Sequence, residues 1–522
     1  MNKKTLKTKL LSILNQHQYS LNDLSIDKPK DLDHGDFATP IAFSLAKKLK
    51  KSPIEIADEI IKIININSEI KFTFDITNIK GYINFKQKNA FLWDKFNAIL
   101  NHPYNYTRES SNTLLEYVSA NPTGPLHIGH GRWAVIGSVI ANLFKETNKE
   151  YKTEFYINDA GSQIKKFYES INAIKENRNI PDDGYHGTYI KDLAKTKDDP
   201  LNTILNQQKH TLSSINVNFD NWFSEKSLHK NKAIQNVLND LAKYNLTYEK
   251  ENATWFKTTE YGDEKDRVLI KSDGEYTYFL VDIAYHQSKI KRGFTHLIAI
   301  LGADHHGYIK RLDAAVQALA KIEKKEITMK VVLGQLVNLF RNEEPIRMSK
   351  RTGEMITLAE VIKEIGMDAT RYYLIEKSHD TTINFDLELA KKQSSENPVY
   401  YIQYAHARMN SILKKVNETI KVNKKITLET NQLNLTKPER DLILLASDFH
   451  NIIEEATQKL SPYKIANYLT LLAKTFHSFY EKCPILNSKK EDQLKRIIIV
   501  TQTKKVFSYG LNLLGISAPA KM

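Results

Sequence analysis

The sequence predicts a multidomain α/β protein with a doubly wound parallel sheet at its centre, a small α/β appendage before it and an all-α bundle after it. Three observations predict this. The chain has 522 residues, enough for three or four domains at about 100–200 residues each. From about residue 113, short β-rich runs alternate with helical ones, the pattern of parallel strands joined by helical crossovers. Beyond about residue 370 the β-rich runs give way to long amphipathic helical stretches. The expected divisions are 1–110, 111–370 with an insertion at about 165–260, and 371–522.

In chain order, Leu6, Leu10, Leu11 and Leu14 recur at helical spacing behind a basic start, which predicts an amphipathic helix and no secretion signal. IAFSLAKKLKK and PIEIADEIIKII, the second opening with Pro53, read as helices, and FTFDITNI and YINFKQ as strands. TLLEYVSA is a short strand ended by Asn121-Pro122, GRWAVIGSVIANLFKET a helix and YKTEFYI a strand. The stretch 165–260 is polar and helix-rich, as an insertion between two halves of a nucleotide-binding sheet would be. YTYFLVDIAYH, HLIAILG and TMKVVLGQLV are expected as further strands, the first running into a short helix, with YIKRLDAAVQALAK as a helix among them. Four long helical stretches from Asn397 onward close the chain.

Composition narrows the class. An apolar share of 41% with 10% aromatics supports packed cores rather than disorder. Lys and Arg number 75 against 61 Asp and Glu, a net charge of +14 and a pI near 9.2. Such a field draws polyanions, and the same excess also follows from a compositional bias toward Lys. The single cysteine, Cys483, allows no internal disulfide and no paired-cysteine zinc knuckle, and is expected to pack at a helix end. No run approaches the ~20 apolar residues of a membrane span, so a cytoplasmic protein without membrane attachment is expected.

The most informative stretch is Ser119 to Arg132, SANPTGPLHIGHGR. A strand, a Pro/Gly turn and a helix in succession present backbone N–H groups to phosphate. Gly129 and Gly131 allow close approach to the backbone, and His127 and His130 fall in the first turn of the helix, where the dipole favours negative charge. Two histidines three apart could equally ligate a metal or cap the helix.

This motif resembles the first signature of the class I aminoacyl-tRNA synthetases, and the full stretch resembles their arginyl branch. A second signature of that family, a lysine-bearing loop, has its counterpart in Arg347-Met348-Ser349-Lys350-Arg351-Thr352-Gly353, with Arg347 and Arg351 departing from the usual pattern. Asp368-Ala369-Thr370-Arg371 resembles the marker that opens the family's anticodon-binding bundle, with Thr370 in place of Leu. HGDFATPIAFSLAKKLKKSPIEIADEI resembles its N-terminal tRNA-contacting domain, and SYGLNLLGISAPAKM its C-terminus.

The resemblance implies a Rossmann-type catalytic core that activates L-arginine with ATP, forming arginyl-adenylate, and transfers it to the 3′ end of tRNA(Arg). It implies that His127, His130 and Lys350 stabilise the pentavalent phosphate. ATP would further meet Gly129, Gly302, Asp304, Met348 and Ser349. A guanidinium calls for carboxylates in planar reach with aromatic faces to bound it. The family's pattern maps arginine binding onto Glu116, Ser119, Asn121, Tyr278 and Asp282, with Glu225 as an acid brought by the insertion. GADHHGYIKR would flank the adenosine and arginine sites, with either His305 or His306 facing the substrate. Mg2+ is expected with ATP, bound through phosphate oxygens and water, with no metal held by the protein. The half-aromatic face of Tyr400, Tyr401 and Tyr404 suits anticodon bases as well as a core or rim role. The chain is expected to act as a monomer. Two alternatives stay open: another class I synthetase such as the cysteinyl or leucyl enzyme, and a non-catalytic RNA-binding paralogue.

Overall fold

Five parallel strands form the sheet that positions the site. The computed structural model describes residues 1, 3–17, 19–29, 31, 34–99, 112–346, 356–419 and 433–522, without the side chains of 304–306 and 419. Across the sheet the strands run Thr328–Gly334, His296–Gly302, Thr113–Glu116, Tyr151–Ile157 and Asn221–Ser224. Every neighbouring pair is parallel, and Ala299, Glu116 and Glu154 stand side by side in register. The order reverses between Thr113–Glu116 and His296–Gly302. In open α/β sheets such a reversal leaves a crevice at the carboxyl ends of the two strands, where ligands bind.

The described chain divides into two compact units. One comprises Met1–Pro103, Arg408–Asn451 and Leu472–Val506; the other comprises Tyr104–Ala407, Ile452–Leu471 and Phe507–Met522. The C-terminal helices, expected as one domain over 371–522, thus contribute segments to both.

In the first unit, strands Phe37–Thr39, Tyr82–Gln87 and Phe74–Ile79 form an antiparallel sheet with Tyr82–Gln87 in the middle. The hairpin turns on Lys80 and Gly81, both at positive φ (53° and 90°), as a tight two-residue turn requires. Leu6, Leu10 and Leu14 of the helix Lys3–Asn15 bury against Ile56, Ile60, Ile64 and Phe85. The helix Pro53–Ile64 starts on a capping box between Ser52 and Glu55. Arg440, on helix Lys437–Ala446, grips both carboxylate oxygens of Asp36 at 2.9 and 2.7 Å. Cys483 is buried just past the end of helix Tyr463–Lys482, its sulfur 3.6 Å from Thr436 Oγ1.

In the second unit two buried arginines brace the helix Ile128–Glu146. Arg132 donates to the carbonyls of Gln335, Ser378 and Thr381 at 2.7–2.8 Å, and burial lowers its pKa to about 10. Arg371 donates to the carbonyls of Ile215 and Leu514 and to Ser138 Oγ at 2.5–2.9 Å. Gly515 leaves room for it: a Cβ there would stand 2.6 Å from the guanidinium.

Three expectations are corrected. The 165–260 stretch is not wholly an insertion, because Asn221–Ser224 is the edge strand of the parallel sheet. It is only four residues long, NWFS, and exposed to half-buried, so no alternation marked it. YTYFLVDIAYH is not a strand: Tyr278–Lys291 is one helix, with Thr277 Oγ1 accepting from Leu280 N at its start. Ten of its residues are buried on several faces, which erases helical amphipathicity and leaves an apolar, aromatic-rich run. Strands also persist beyond 370, since Ile383–Asp386 pairs in parallel with Val337–Arg341. Among the described residues no helix is long and apolar enough to cross a membrane.

Candidate active site

The first wall of the crevice is the turn after strand Thr113–Glu116. His127 is the N-cap of helix Ile128–Glu146, and its Nδ1 accepts from the N–H groups of Gly129 (3.1 Å) and His130 (3.4 Å). His130, at the third helical position, returns the contact: its Nδ1 accepts from His127 N at 3.3 Å. The rings stack with centroids 3.6 Å apart. An acceptor nitrogen carries no hydrogen, so in each neutral ring the N–H sits on Nε2. Two imidazole N–H donors and the positive end of a helix thus share one place, the arrangement that stabilises developing phosphate charge. A Cβ on Gly129 would stand 2.9 Å from the His127 ring, so glycine keeps that ring in place. The chain also returns here at Thr357, which bridges His127, and Leu358 N donates to Leu126 O at 2.8 Å.

Between strand and turn the backbone is strained. Val118 and Ser119 have φ of 71° and 44°, and a β-branched residue at positive φ is a true outlier of the kind that gathers at functional sites. Ser119 N donates to Tyr117 O at 3.0 Å, closing the turn. The turn lets the Ser119 hydroxyl donate to Glu116 Oε1 (3.0 Å), while Ser119 Oγ accepts from Tyr156 N (3.2 Å).

The second wall is acidic. Glu116 is buried and paired with the buried Lys289 at 2.5 Å. Glu225, also buried, accepts from the Tyr156 hydroxyl at 2.7 Å. Asp282 accepts from the Tyr308 hydroxyl. Burial pushes Asp282 up to about 7; the Tyr308 hydrogen bond opposes this, the negative charge of Glu116 adds to it, Lys289 opposes it and Glu225 adds again. Beneath lies a second ion pair, the buried Glu154 with the more exposed Arg292, joined at 2.5 and 2.9 Å, its carboxylate shared with Asn221 and the Tyr285 hydroxyl. Three carboxylates bounded by tyrosines make a site for a planar cation.

Of the remaining expected residues, Asn121 is exposed, with its Nδ2 donating to Gln163 Oε1 at 2.7 Å. Tyr278 shares a helix face with Asp282 and is 64% exposed. Gly302 ends the strand His296–Gly302 at the switch point. Asp304 and His306 lie in the turn Ala303–Tyr308, with side chains outside the described residues, and Met348, Ser349 and Lys350 lie outside them altogether. Tyr400, Tyr401 and Tyr404 are half-buried, with Tyr400 and Tyr404 stacked at 6.1 Å. Sequence reasoning missed Tyr156, Tyr308, His286 and Lys289. The last two carried a signal: they lie four and seven residues beyond Asp282, on the same helix face once 278–291 is known to be helical.

Known proteins match this architecture. Residues 162–414 fit the family described as tRNA synthetases class I (R), catalytic domain, so the fold is that of a class I aminoacyl-tRNA synthetase. Residues 3–86 fit the arginyl tRNA synthetase N terminal domain, and 402–522 the DALR anticodon binding domain. An arginine–tRNA ligase of Listeria monocytogenes is 39% identical over 99% of this chain and 98% of its own. Arginine–tRNA ligase 1 of Halalkalibacterium halodurans is 38% identical over 96% and 95%. The Thermus thermophilus arginyl-tRNA synthetase structure shares the fold, with a TM-score of 0.79 at 20% identity over the full length of both chains. The chain belongs to the arginyl-tRNA synthetase family.

Proposed function

We propose that this chain ligates L-arginine to the 3′ end of tRNA(Arg) in two steps. The arginine carboxylate attacks the α-phosphorus of ATP, the bond to the β-phosphate breaks, and pyrophosphate leaves. A hydroxyl of the terminal ribose then attacks the arginyl carbonyl and AMP departs. Neither step needs more from the protein than positioning and charge stabilisation.

The observation that carries this reading is the pairing of the stacked His127–His130 turn with a tyrosine-bounded acidic pocket in one unit, both following from the strand Thr113–Glu116. His127 and His130 donate Nε2–H groups to the phosphates, with Gly129 giving access; Gly302, Asp304, Met348 and Ser349 complete the nucleotide site. Lys350 adds its charge to the phosphates in the transition state, and Mg2+ travels with ATP on phosphate oxygens and water. Asp282 and Glu225 face the guanidinium, Tyr278 covers it, and Glu116, Ser119 and Asn121 hold the end that reacts, with His306 nearby. The 1–110 region touches tRNA, 371–522 reads the anticodon with help from the Tyr400, Tyr401 and Tyr404 face, and the protein works as a cytoplasmic monomer.

ATP–pyrophosphate exchange with each of the twenty amino acids, with and without tRNA, tests the reading. Exchange with arginine alone is the expected result. Exchange with another amino acid overturns the pocket, and tRNA binding without any exchange favours an RNA-binding paralogue. Replacing Lys350 by alanine is expected to lower the adenylation rate about 10²–10³-fold.

A further inference from the structure

Lys289 is the buried cation that the reaction itself does not call for. Its side chain is 2% exposed, and a buried ammonium is costly unless its three N–H bonds all find partners. Here they do: Glu116 Oε2 at 2.5 Å, His286 Nε2 at 3.5 Å, and the face of Tyr285 with its centroid at 4.0 Å. The histidine tautomer follows from geometry. His286 Nδ1 lies 2.8 Å from the carbonyl oxygen of Asp282; a carbonyl only accepts, so Nδ1 bears the hydrogen and Nε2 offers its lone pair to Lys289. Burial, and then the Lys289 charge, hold His286 well below the usual histidine range, so it stays neutral.

The three pocket acids are therefore treated differently. Glu225 and Asp282 receive tyrosine hydroxyls, which orient them without bringing a positive charge. Glu116 receives a full cation on one oxygen and the Ser119 hydroxyl on the other, which locks its carboxylate plane. We propose that Lys289 is a positioning and specificity-determining residue: it locks Glu116 and cancels one of the three acid charges, leaving two carboxylates, Asp282 and Glu225, for the planar fork of a guanidinium. This rests on the reading that arginine occupies the acidic pocket.

The test is steady-state ATP–pyrophosphate exchange, with tRNA, on the full chain carrying Lys289→Met, Lys289→Arg, Asp282→Asn or the double change Glu116→Gln/Lys289→Met. Lys289→Met is expected to raise the arginine KM about 10²-fold while the ATP KM and the kcat at saturating arginine stay within about threefold. Lys289→Arg restores most of the loss. The double variant leaves no unpaired buried charge, so it folds even if Lys289→Met does not, and it shows the same arginine-specific rise. An unchanged arginine KM, or KM values for both substrates rising together with lost thermal stability, overturns the proposal. If Asp282→Asn raises the arginine KM and the Lys289 variants do not, the Lys289 inference alone falls. If Asp282→Asn has no effect, the pocket reading falls and takes this inference with it.

Discussion

The two walls of the crevice are held in opposite ways. On the histidine side the backbone does the holding: each ring caps N–H groups within three residues of itself, so the turn is nearly self-contained. On the acidic side every carboxylate is held by a side chain from a distant part of the chain: Glu116 by Lys289, Glu225 by Tyr156, Asp282 by Tyr308. A local capping motif suits donors that must meet a phosphate chain common to every ATP-using site. A pocket that must distinguish one amino acid needs groups fixed from several directions, because a buried charge is costly unless a partner holds it in place.

Changes on the acidic wall break this contrast most strongly. Asp282→Ala is expected to raise the arginine KM about 10³-fold with ATP binding retained, since a guanidinium then meets one carboxylate fewer in a desolvated site. Pyrophosphate exchange at varied arginine and at varied ATP separates the two; an unaltered arginine KM removes Asp282 from the pocket. On the opposite wall, His127→Asn keeps a capping side chain and loses an Nε2–H donor. The kcat should drop about 10²-fold with the arginine KM preserved, and an arginine KM that rises with it would show the walls are not separable.

Proton linkage distinguishes the walls more finely. Asp282 sits at about 7 in the free protein, and a bound guanidinium favours its ionised form, lowering that value. Arginine affinity is then full above about pH 7 and weakens as pH falls through it, the KM climbing toward tenfold per unit while the ATP KM is unmoved. A profile of both constants from pH 6 to 8.5 checks this; a flat arginine KM overturns it. The smallest effect lies at Thr357, where the chain rejoins the histidine turn. Thr357 caps the helix Leu358–Ile375 in a capping box with Glu360, so Thr357→Ala should cost about 1 kcal/mol in thermal or urea melts, with the arginine KM untouched.

Much of the first wall was legible in the sequence, because its geometry is local. The spacing of His127 and His130, the glycines between and after them, and a strand–turn–helix texture specify a capped helix start with little help from elsewhere. The same holds for the helix Pro53–Ile64, whose Ser52, Pro53 and Glu55 write out its beginning, and for the strands Tyr151–Ile157 and His296–Gly302. Glu116 and Asp282 stand out in the sequence only because their positions resemble a known pattern; nothing in their neighbours shows what they touch.

What only tertiary structure decided is the pairing of charges and the placing of short or wholly buried elements. Asn221–Ser224 is a strand because Tyr151–Ile157 offers it an edge, and Tyr278–Lys291 conceals its helical period because so much of its surface is covered. Lys289 and Glu116 are 173 residues apart in sequence and 2.5 Å apart in space. Periodicity and caps are written in residues a few positions apart, so a sequence declares them. The field inside a pocket is the sum of groups gathered by folding, and no stretch of chain contains it.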